Sequence, residues 1–188
     1  MPGALRRYSD VMSIPYLLKR STRARTMRLA VYPDARVVVT APHFYGLGAV
    51  ERFVVKHSDW ISRHVERARG RTVIRIQKRE IPMLKKRALA LASARCVHFA
   101  AIYGLNYKKI TIRAQKSRWG SCSRGGNLSF NYKIGVLQPH IADYIIVHEL
   151  CHLAEMNHGK KFWDLVAKTV PQHKTTRAEL RRVVVMYD

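Results

Sequence analysis

The sequence has few cysteines and no long apolar run. Its 188 residues include three cysteines, and none of them forms a CxxC pair, so neither a disulfide framework nor a zinc ribbon is expected. No stretch approaches the roughly 18 consecutive apolar residues of a membrane-spanning helix, and MPGALRRYSDVMSIPYLLKRS contains no apolar core of signal-peptide length. These absences favour a protein of the reducing cytoplasm that does not enter a membrane.

Acidic residues are also scarce. The chain has 12 Asp and Glu against 35 Lys and Arg, a net charge of +23 that is spread along its length. Such a charge attracts nucleic acid, anionic lipid or phosphorylated substrates, but it identifies no site. The spacings of a helix-turn-helix or a zinc finger are missing. A basic surface with no dedicated partner is therefore an equally good interpretation.

The composition is that of a globular protein, 47% hydrophobic and 25% charged. In the first half, TMRLAVYP and ARVVVTAP predict a β-hairpin from about Thr26 to Ala41. One helix is then predicted over LGAVERFVVKHSDWISRHVERARG, ended by Gly70, with a strand in RTVIRIQ. A second helix is predicted from Pro82 to Tyr103, with Gly104 as its stop.

In the second half, strands are predicted over Tyr107–Ala114 and Asn127–Ile134, separated by the turn sequence SCSRGGN. Helices are expected from Pro139 through HIADYIIVHELCHLAEM, in KKFWDLVAKTV and in TTRAELRRVVVM. This order predicts the α+β class. It also predicts an N-terminal hairpin and helix unit over residues 1–78 and a second unit over 79–188.

The sequence HELCHLAEMNH, residues 148–158, contains three histidines. His148 and His152 are four residues apart, so on a helix their Cβ atoms lie roughly 5–6 Å apart and both rings can bind one tetrahedral zinc ion. Glu149 would stand beside the metal, where a base that activates the zinc-bound water is needed. The alternative is a core helix whose histidines only form hydrogen bonds.

A catalytic zinc ion keeps three protein ligands. His158 has the spacing of the third ligand in H-E-x-x-H-x-x-G-x-x-H, although Glu155 occupies the glycine position. Asp164 and Glu179 are alternative third ligands, and Glu155 could instead support a ligand from outside the metal shell. Neutral imidazole suits zinc, which favours His158.

The segment QKSRWGSCS, Gln115–Ser123, precedes the metal helix at the place where zincins commonly have the edge strand that pairs with substrate. Arg118 could bind a carboxylate or a phosphate through two hydrogen bonds. Cys122 is expected to be a small packed residue rather than a ligand. The alternative is a polar loop anchored by its tryptophan.

QKSRWGSCS, NYKIGVLQPHIADYIIVHELCHL and NHGKKFW together resemble the YgjP-like metallopeptidase family of the zincin-like group. RSTRARTMRLAVYPDARVVVTAP and HSDWI resemble that family's opening hairpin and helix. The resemblance implies one Zn²⁺ bound by His148, His152 and His158, with Glu149 as the catalytic base. It also implies that residues 79–188 form a minimal zincin-like (minigluzincin-type) catalytic core, in which a small antiparallel sheet packs on the HExxH helix.

The function that follows is a zinc-dependent hydrolase, first of all a metallopeptidase acting on peptides or proteins. Glu149 would take a proton from the zinc-bound water and return it to the leaving amine. Arg118 and Tyr132 are predicted to bind substrate, and either of them or Tyr144 could bind the oxyanion. A strand near Asn127–Ile134 is expected to align the peptide.

Two other functions stay open on the sequence alone. Members of the resembled family have also been described as nucleoside triphosphate (UTP) pyrophosphatases, and the same metal site could attack a phosphoryl group. Lys116, Arg118 and Arg124 favour this alternative, whereas the lack of a glycine-rich phosphate loop and of an acidic magnesium cluster disfavours it. The third function is a basic protein associated non-specifically with nucleic acid.

Overall fold

Alternating apolar residues build the first sheet of the structure, a computed structural model that describes residues 6–8 and 14–188. Its strands are β1 (Arg6–Tyr8), β2 (Tyr16–Arg20), β3 (Arg28–Val31) and β4 (Val37–Ala41). The order is β1-β2-β4-β3, and every second residue of β4 is buried. Strands β3 and β4 are antiparallel, with Arg28 opposite Thr40, so the predicted hairpin is confirmed.

The next helix is interrupted, and the prediction of one continuous helix was wrong. It consists of α1 (Leu47–Lys56) and α2 (Ser58–Arg69), which are separated by His57. His57 has φ −108° and ψ 15°, outside the helical region, and its Nδ1 donates to the Phe53 carbonyl oxygen at 2.8 Å. The apolar rhythm continues across this one-residue break, so the pattern alone does not reveal it.

Contacts divide the chain into two compact units, Met1–Val73 and Ile74–Asp188. Each unit has its own cluster of buried apolar residues. Helices and strands alternate irregularly along the chain, so the predicted α+β class is confirmed. No helix in the part of the chain that the structure describes is long and apolar enough to cross a membrane.

Strand β5 (Thr72–Ile76) leads into the long helix α3 (Ile81–Tyr103). Pro82 lies in the first turn of α3, where its missing N–H has no helical partner to lose. Gly104 follows the last turn with a φ of 64°, the left-handed conformation that glycine adopts without strain. Both predicted ends of this helix are confirmed.

The sheet of the second unit consists of β6 (Lys109–Arg113), β7 (Gly120–Cys122) and β8 (Asn127–Asn131), in the order β6-β8-β7. Strands β7 and β8 form a hairpin whose turn includes Gly126 at φ 77°. Strand β7 occupies one side of β8, so β6 lies on the other side. Strands β6 and β8 are parallel. The sheet is therefore mixed, and the prediction of an antiparallel sheet was wrong.

The remaining elements are α4 (Pro139–Cys151), α5 (Lys160–Thr169), α6 (His173–Arg182) and β9 (Val183–Tyr187). The prediction that the last helix continues through VVVM was wrong, since these residues form β9, which pairs with β5. Consecutive β-branched residues favour an extended chain.

Helix α4 is buried on almost every side. Its buried residues are Ile141, Ala142, Tyr144, Ile145, Ile146, Val147, Glu149, Leu150 and Cys151. It packs against α3, α5, α6, β7 and β8, which makes it the centre of the second unit. A helix that is apolar all round is stable only when it is enclosed in this way.

The central position of α4 can be tested by replacing isoleucine with alanine at one buried and one exposed position. Ile146 of α4 is 0% exposed and Ile102 of α3 is 55% exposed. We expect Ile146→Ala to lower the free energy of unfolding by about 2–5 kcal/mol, since it leaves a cavity. Ile102→Ala should change it by no more than about 0.5 kcal/mol. Denaturant unfolding of both variants measures the difference, and equal losses would contradict this account of the core.

Candidate active site

Three histidines converge where α4 ends. His148 lies in the last turn of α4, His152 directly follows the helix, and His158 precedes α5. Each ring offers one nitrogen, and the three nitrogens lie within 4.8 Å of one another. The Nε2 atoms of His148 and His158 are 3.0 Å apart. Two nitrogen ligands of one tetrahedral zinc ion are separated by about 3.3 Å, so this spacing suits a shared cation.

The orientation of His152 is set by a main-chain group. Its Nδ1 lies 3.0 Å from the carbonyl oxygen of Glu155. Because a carbonyl oxygen only accepts, Nδ1 carries the proton and Nε2 keeps its lone pair for a metal. Glu155 therefore supports His152 through its backbone carbonyl group, which agrees with the expectation that it supports a ligand from outside the metal shell.

An apolar ring lies against all three histidines. Phe162, fully buried in α5, has its ring centroid 4.9 Å from that of His148, 4.5 Å from that of His152 and 4.7 Å from that of His158. Trp163 lies 6.0 Å from His148 and 5.8 Å from His158. These contacts restrict the rotation of the imidazoles and hold them for a common ligand.

The neutral form, which is the form that binds a metal, is favoured at His148 and His158. Burial, together with the neighbouring His152 and His158, lowers the pKa of His148 to about 3. Burial also lowers the pKa of His158. Three imidazoles form a donor set that suits zinc, so the residues present fit the expected metal.

Glu149 is buried at the same place and faces strand β7. A Cβ atom added to Gly120 would lie 2.6 Å from Glu149 Cγ and 2.7 Å from its Oε1. The absence of a side chain at Gly120 is therefore what leaves room for the carboxyl group. Burial raises the pKa of Glu149 to about 8, and the charge of Arg118 partly opposes this shift. A carboxyl group with such a pKa exchanges protons near neutral pH.

Strand β7 lies at one edge of the sheet, whereas β8 does not. Strand β8 lies between β6 and β7, so its backbone groups are already paired on both sides. Residues Tyr132–Val136 form a 3-10 helix, which ends β8 at Asn131. The expectation that Asn127–Ile134 aligns a peptide was therefore wrong, and QKSRWGSCS supplies the edge strand instead.

The hydrogen bonds of β7 define which groups are free to pair. Two of them flank the strand, Asn131 N–H to Trp119 O at 2.7 Å and Ser123 N–H to Asn127 O at 3.0 Å. In an antiparallel pair every second residue bonds to the partner strand, so Ser121 faces β8. The N–H and C=O groups of Gly120 and Cys122 consequently point away from β8.

A cavity of about 370 Å³ opens beside the histidines. It is lined by Arg118, Trp119, Gly120, Tyr144, Ile145, His148, Glu149, His158, Arg177, Leu180 and Arg181. The structure thus brings the predicted Arg118 together with Glu149 and two of the three histidines. Tyr144, which the sequence suggested for oxyanion binding, also lines the cavity.

Other predicted residues lie elsewhere. Tyr132 is buried, and its hydroxyl is 2.6 Å from that of Tyr187, away from the residues that line the cavity. Asp164 is exposed on α5, and Glu179 lies 2.7 Å from His140. Among the described residues, neither acid belongs to the metal-binding cluster. Cys122 packs partly buried against the core, as expected.

Gly120, Arg177 and Arg181 also line the cavity, and the sequence alone did not predict a role for them. Gly120 stands out only once Glu149 is seen to occupy the space of its missing side chain. Arg177 and Arg181 are four apart in α6, a spacing that places both on one helix face. This spacing is visible in the sequence, but it does not distinguish the pair from other basic residues, because arginine and lysine together number 35 in this chain.

Metal analysis tests the histidine cluster directly. We expect the protein to bind about one zinc ion, and His158→Ala to weaken binding by more than the roughly 10–100-fold typical for loss of a supporting residue. Competition with a chromophoric chelator measures the affinity. His140→Ala is the matched control, because His140 contacts Glu179 and not the cluster. Equal affinities of the two variants would remove His158 from the ligand set.

No curated protein matches the chain. The crystal structure of the metallopeptidase zymogen of Pyrococcus abyssi abylysin is similar to it, with a TM-score of 0.44 and 25% sequence identity, over 50% of this chain and 99% of that chain.

The sequence profile of a family described as YgjP-like, metallopeptidase domain, matches residues 75–183. This segment includes most of the second unit and contains the three clustered histidines and Glu149. The match extends over more than half of the chain, and it agrees with the resemblance seen in the sequence motifs. The chain belongs to the YgjP-like metallopeptidase family.

Proposed function

We propose that the protein is a zinc-dependent peptidase in which Glu149 is the catalytic base. One observation carries the proposal: three histidine nitrogens within 4.8 Å of one another, beside a buried glutamate, in a chain of a metallopeptidase family. Family membership supports a metal-dependent peptidase. The identity of the metal and the role of Glu149 are our inference from the chemistry of the site.

His148, His152 and His158 would hold the metal. When bound, zinc lowers the pKa of the attacking water and polarises the scissile carbonyl group. The three rings leave the cavity side of the site open, as a catalytic site with three protein ligands requires. The fully buried ring of Phe162 contacts all three imidazoles and keeps water away from the parts of the rings that it covers.

Glu149 would move the proton. Its carboxylate accepts a proton from the attacking water and then donates it to the nitrogen of the leaving amine. Burial favours the protonated form and so makes Glu149 a stronger base than an exposed glutamate. Helix α4 holds Glu149 and His148 on adjacent positions, so the base cannot drift away from the metal ligands.

Strand β7 would align the peptide. The outward N–H and C=O groups of Gly120 and Cys122 can pair with an extended substrate, which then becomes the next strand of the sheet. Gly120 also contacts Glu149, so a peptide on this strand passes directly over the catalytic base. Tyr144 and Arg118 line the same cavity and are our candidates for oxyanion donors. Burial raises the pKa of Tyr144, which keeps its hydroxyl protonated for this role.

No feature of the described residues specifically favours nucleotide hydrolysis or nucleic-acid association over peptide hydrolysis. Nucleic-acid association rests on the net charge of +23. Nucleotide hydrolysis rests on that charge and on Lys116, Arg118 and Arg124, and of these three residues only Arg118 lines the cavity. Peptide hydrolysis is therefore the function that the site supports best.

Replacing the base should separate catalysis from metal binding. We expect Glu149→Gln to lower cleavage of a fluorogenic peptide library by about 10²–10⁴-fold, the usual contribution of general acid–base catalysis. Zinc content should stay near that of the wild type, because the histidines are untouched. Glu179→Gln is the control for loss of a carboxylate outside the cavity. Undiminished cleavage by Glu149→Gln would show that another group is the base.

The close approach of Gly120 to Glu149 gives a second test. In Gly120→Ala the added methyl group would occupy the position of the Glu149 side chain, so we expect the carboxyl group to shift and kcat to fall by about tenfold or more. Gly125→Ala is the control, since its nearest neighbour would be Asn127 Nδ2 at 3.6 Å. Zinc content should be normal in both variants. If the two variants cleave equally well, the glycine is not needed to position the base.

A further inference from the structure

Three arginines line the cavity beside the histidines. Arg118 lies in the segment that leads into β7, and Arg177 and Arg181 lie on α6. Arg118 is close enough to Glu149 to lower its pKa, and Arg177 has the same effect on His148. The arginines therefore face the reacting groups from two different elements of the fold.

The two arginines of α6 are positioned together. They are four residues apart, so their side chains lie one turn apart on one face of the helix. The guanidinium carbon of Arg177 lies 5.3 Å from the centre of the Trp163 ring, a cation–π contact that restricts the side chain. The charges of both arginines are close enough to Tyr144 to lower its pKa, against the larger effect of burial, which raises it. The pair thus forms a localised positive surface at the rim of the cavity.

Little negative charge balances these arginines. Among the described residues that line the cavity, Glu149 is the only acid, and it is buried, whereas the arginines are exposed. In residues 14–188 none of the three arginines forms an ion pair, and Glu179, the acid of α6, contacts His140. Arg95, by contrast, binds Asp143 through two hydrogen bonds of 2.6 and 2.7 Å. Like charges that converge on one cleft repel each other unless an anion joins them.

We propose that Arg177 and Arg181 bind a carboxylate of the peptide substrate close to the scissile bond. The inference rests on the proposed peptidase function and specifies its substrates: peptides with an acidic side chain near the cleaved bond or with a free C-terminus near it. A guanidinium group binds a carboxylate through two parallel hydrogen bonds, so it reads the geometry of the group as well as its charge.

A carboxylate fits the cavity better than a triphosphate does. A nucleotide site usually supplies backbone amides of a glycine-rich loop and acids that hold magnesium. The residues lining this cavity include one glycine and one acid, and both belong to the proposed catalytic machinery. A carboxylate needs only the guanidinium groups that are present, and the peptide backbone can pair with β7.

The experiment measures binding separately from cleavage. Zinc-loaded full-length Glu149→Gln protein is titrated with hexapeptides of one sequence that carry Glu or Gln at each position in turn, with a free or an amidated C-terminus. We expect the best carboxylate-bearing peptides to bind about tenfold or more tightly than their neutral counterparts, the size of one charge-assisted hydrogen bond. The Glu and free C-terminus arms distinguish the two sources of the carboxylate.

Matched variants show which arginines are responsible. Adding Arg177→Gln and Arg181→Gln should reduce the acid-to-neutral affinity ratio to near one. Adding Lys174→Gln and Arg182→Gln removes the same charge from α6 at residues that do not line the cavity, and should preserve the ratio. Circular dichroism and zinc content check folding. If the double variant does not fold, Arg181→Gln alone can be measured, because it keeps the contact between Arg177 and Trp163. We expect this single variant to lower the acid-to-neutral affinity ratio as well.

Three results would overturn the inference. The first is equal affinity for acidic and neutral peptides, and the second is an acid preference that persists after both arginines are replaced. The third is displacement of the peptides by a nucleoside triphosphate at concentrations far below the dissociation constant of the acidic peptides. Cleavage assays with the wild type separate this failure from that of the proposed function. Peptide cleavage without acid preference would refute only the carboxylate site. Acid-selective binding without any cleavage would refute only the peptidase function.

Discussion

The burial of α4 on almost all sides is the constraint on which the site depends. Its apolar residues pack against three other helices and two strands, so the helix cannot rotate or slide without exposing core side chains. His148 and Glu149 are carried on this helix and His152 follows it directly. The positions of these three side chains are thus determined by the same packing that stabilises the second unit, and little local flexibility would be lost when the proposed metal binds.

The sheet and α4 approach each other closely where Gly120 of β7 faces Glu149 of α4. Strand β7 approaches Glu149 so closely that its residue there has no side chain. This closeness brings an edge strand and the carboxyl group of Glu149 together in one cavity. The proposed peptidase mechanism uses both, since the edge would hold an extended chain and the carboxyl group would act on one of its bonds.

Much of this arrangement could be predicted from local patterns. The ends of α3 and the cluster of His148, His152 and His158 follow from proline, glycine and residue spacing, which act within a few positions. The mixed sheet and the edge position of β7 depend on which strands pair across the chain, and no local pattern encodes that choice. Arg177 and Arg181 become neighbours of the site only through the packing of α6 on α4, so a single sequence could not place them there.

The end of α4 at Cys151 has an electrostatic consequence. The peptide dipoles of a helix add up to roughly half a negative elementary charge at its carboxyl terminus, and the effect is confined to the last turn. His148 lies in that turn and His152 immediately after it, so a cation held by these rings lies in the attractive part of the helix field. In a chain with a large excess of positive charge, the backbone itself supplies negative potential where the proposed divalent ion would bind.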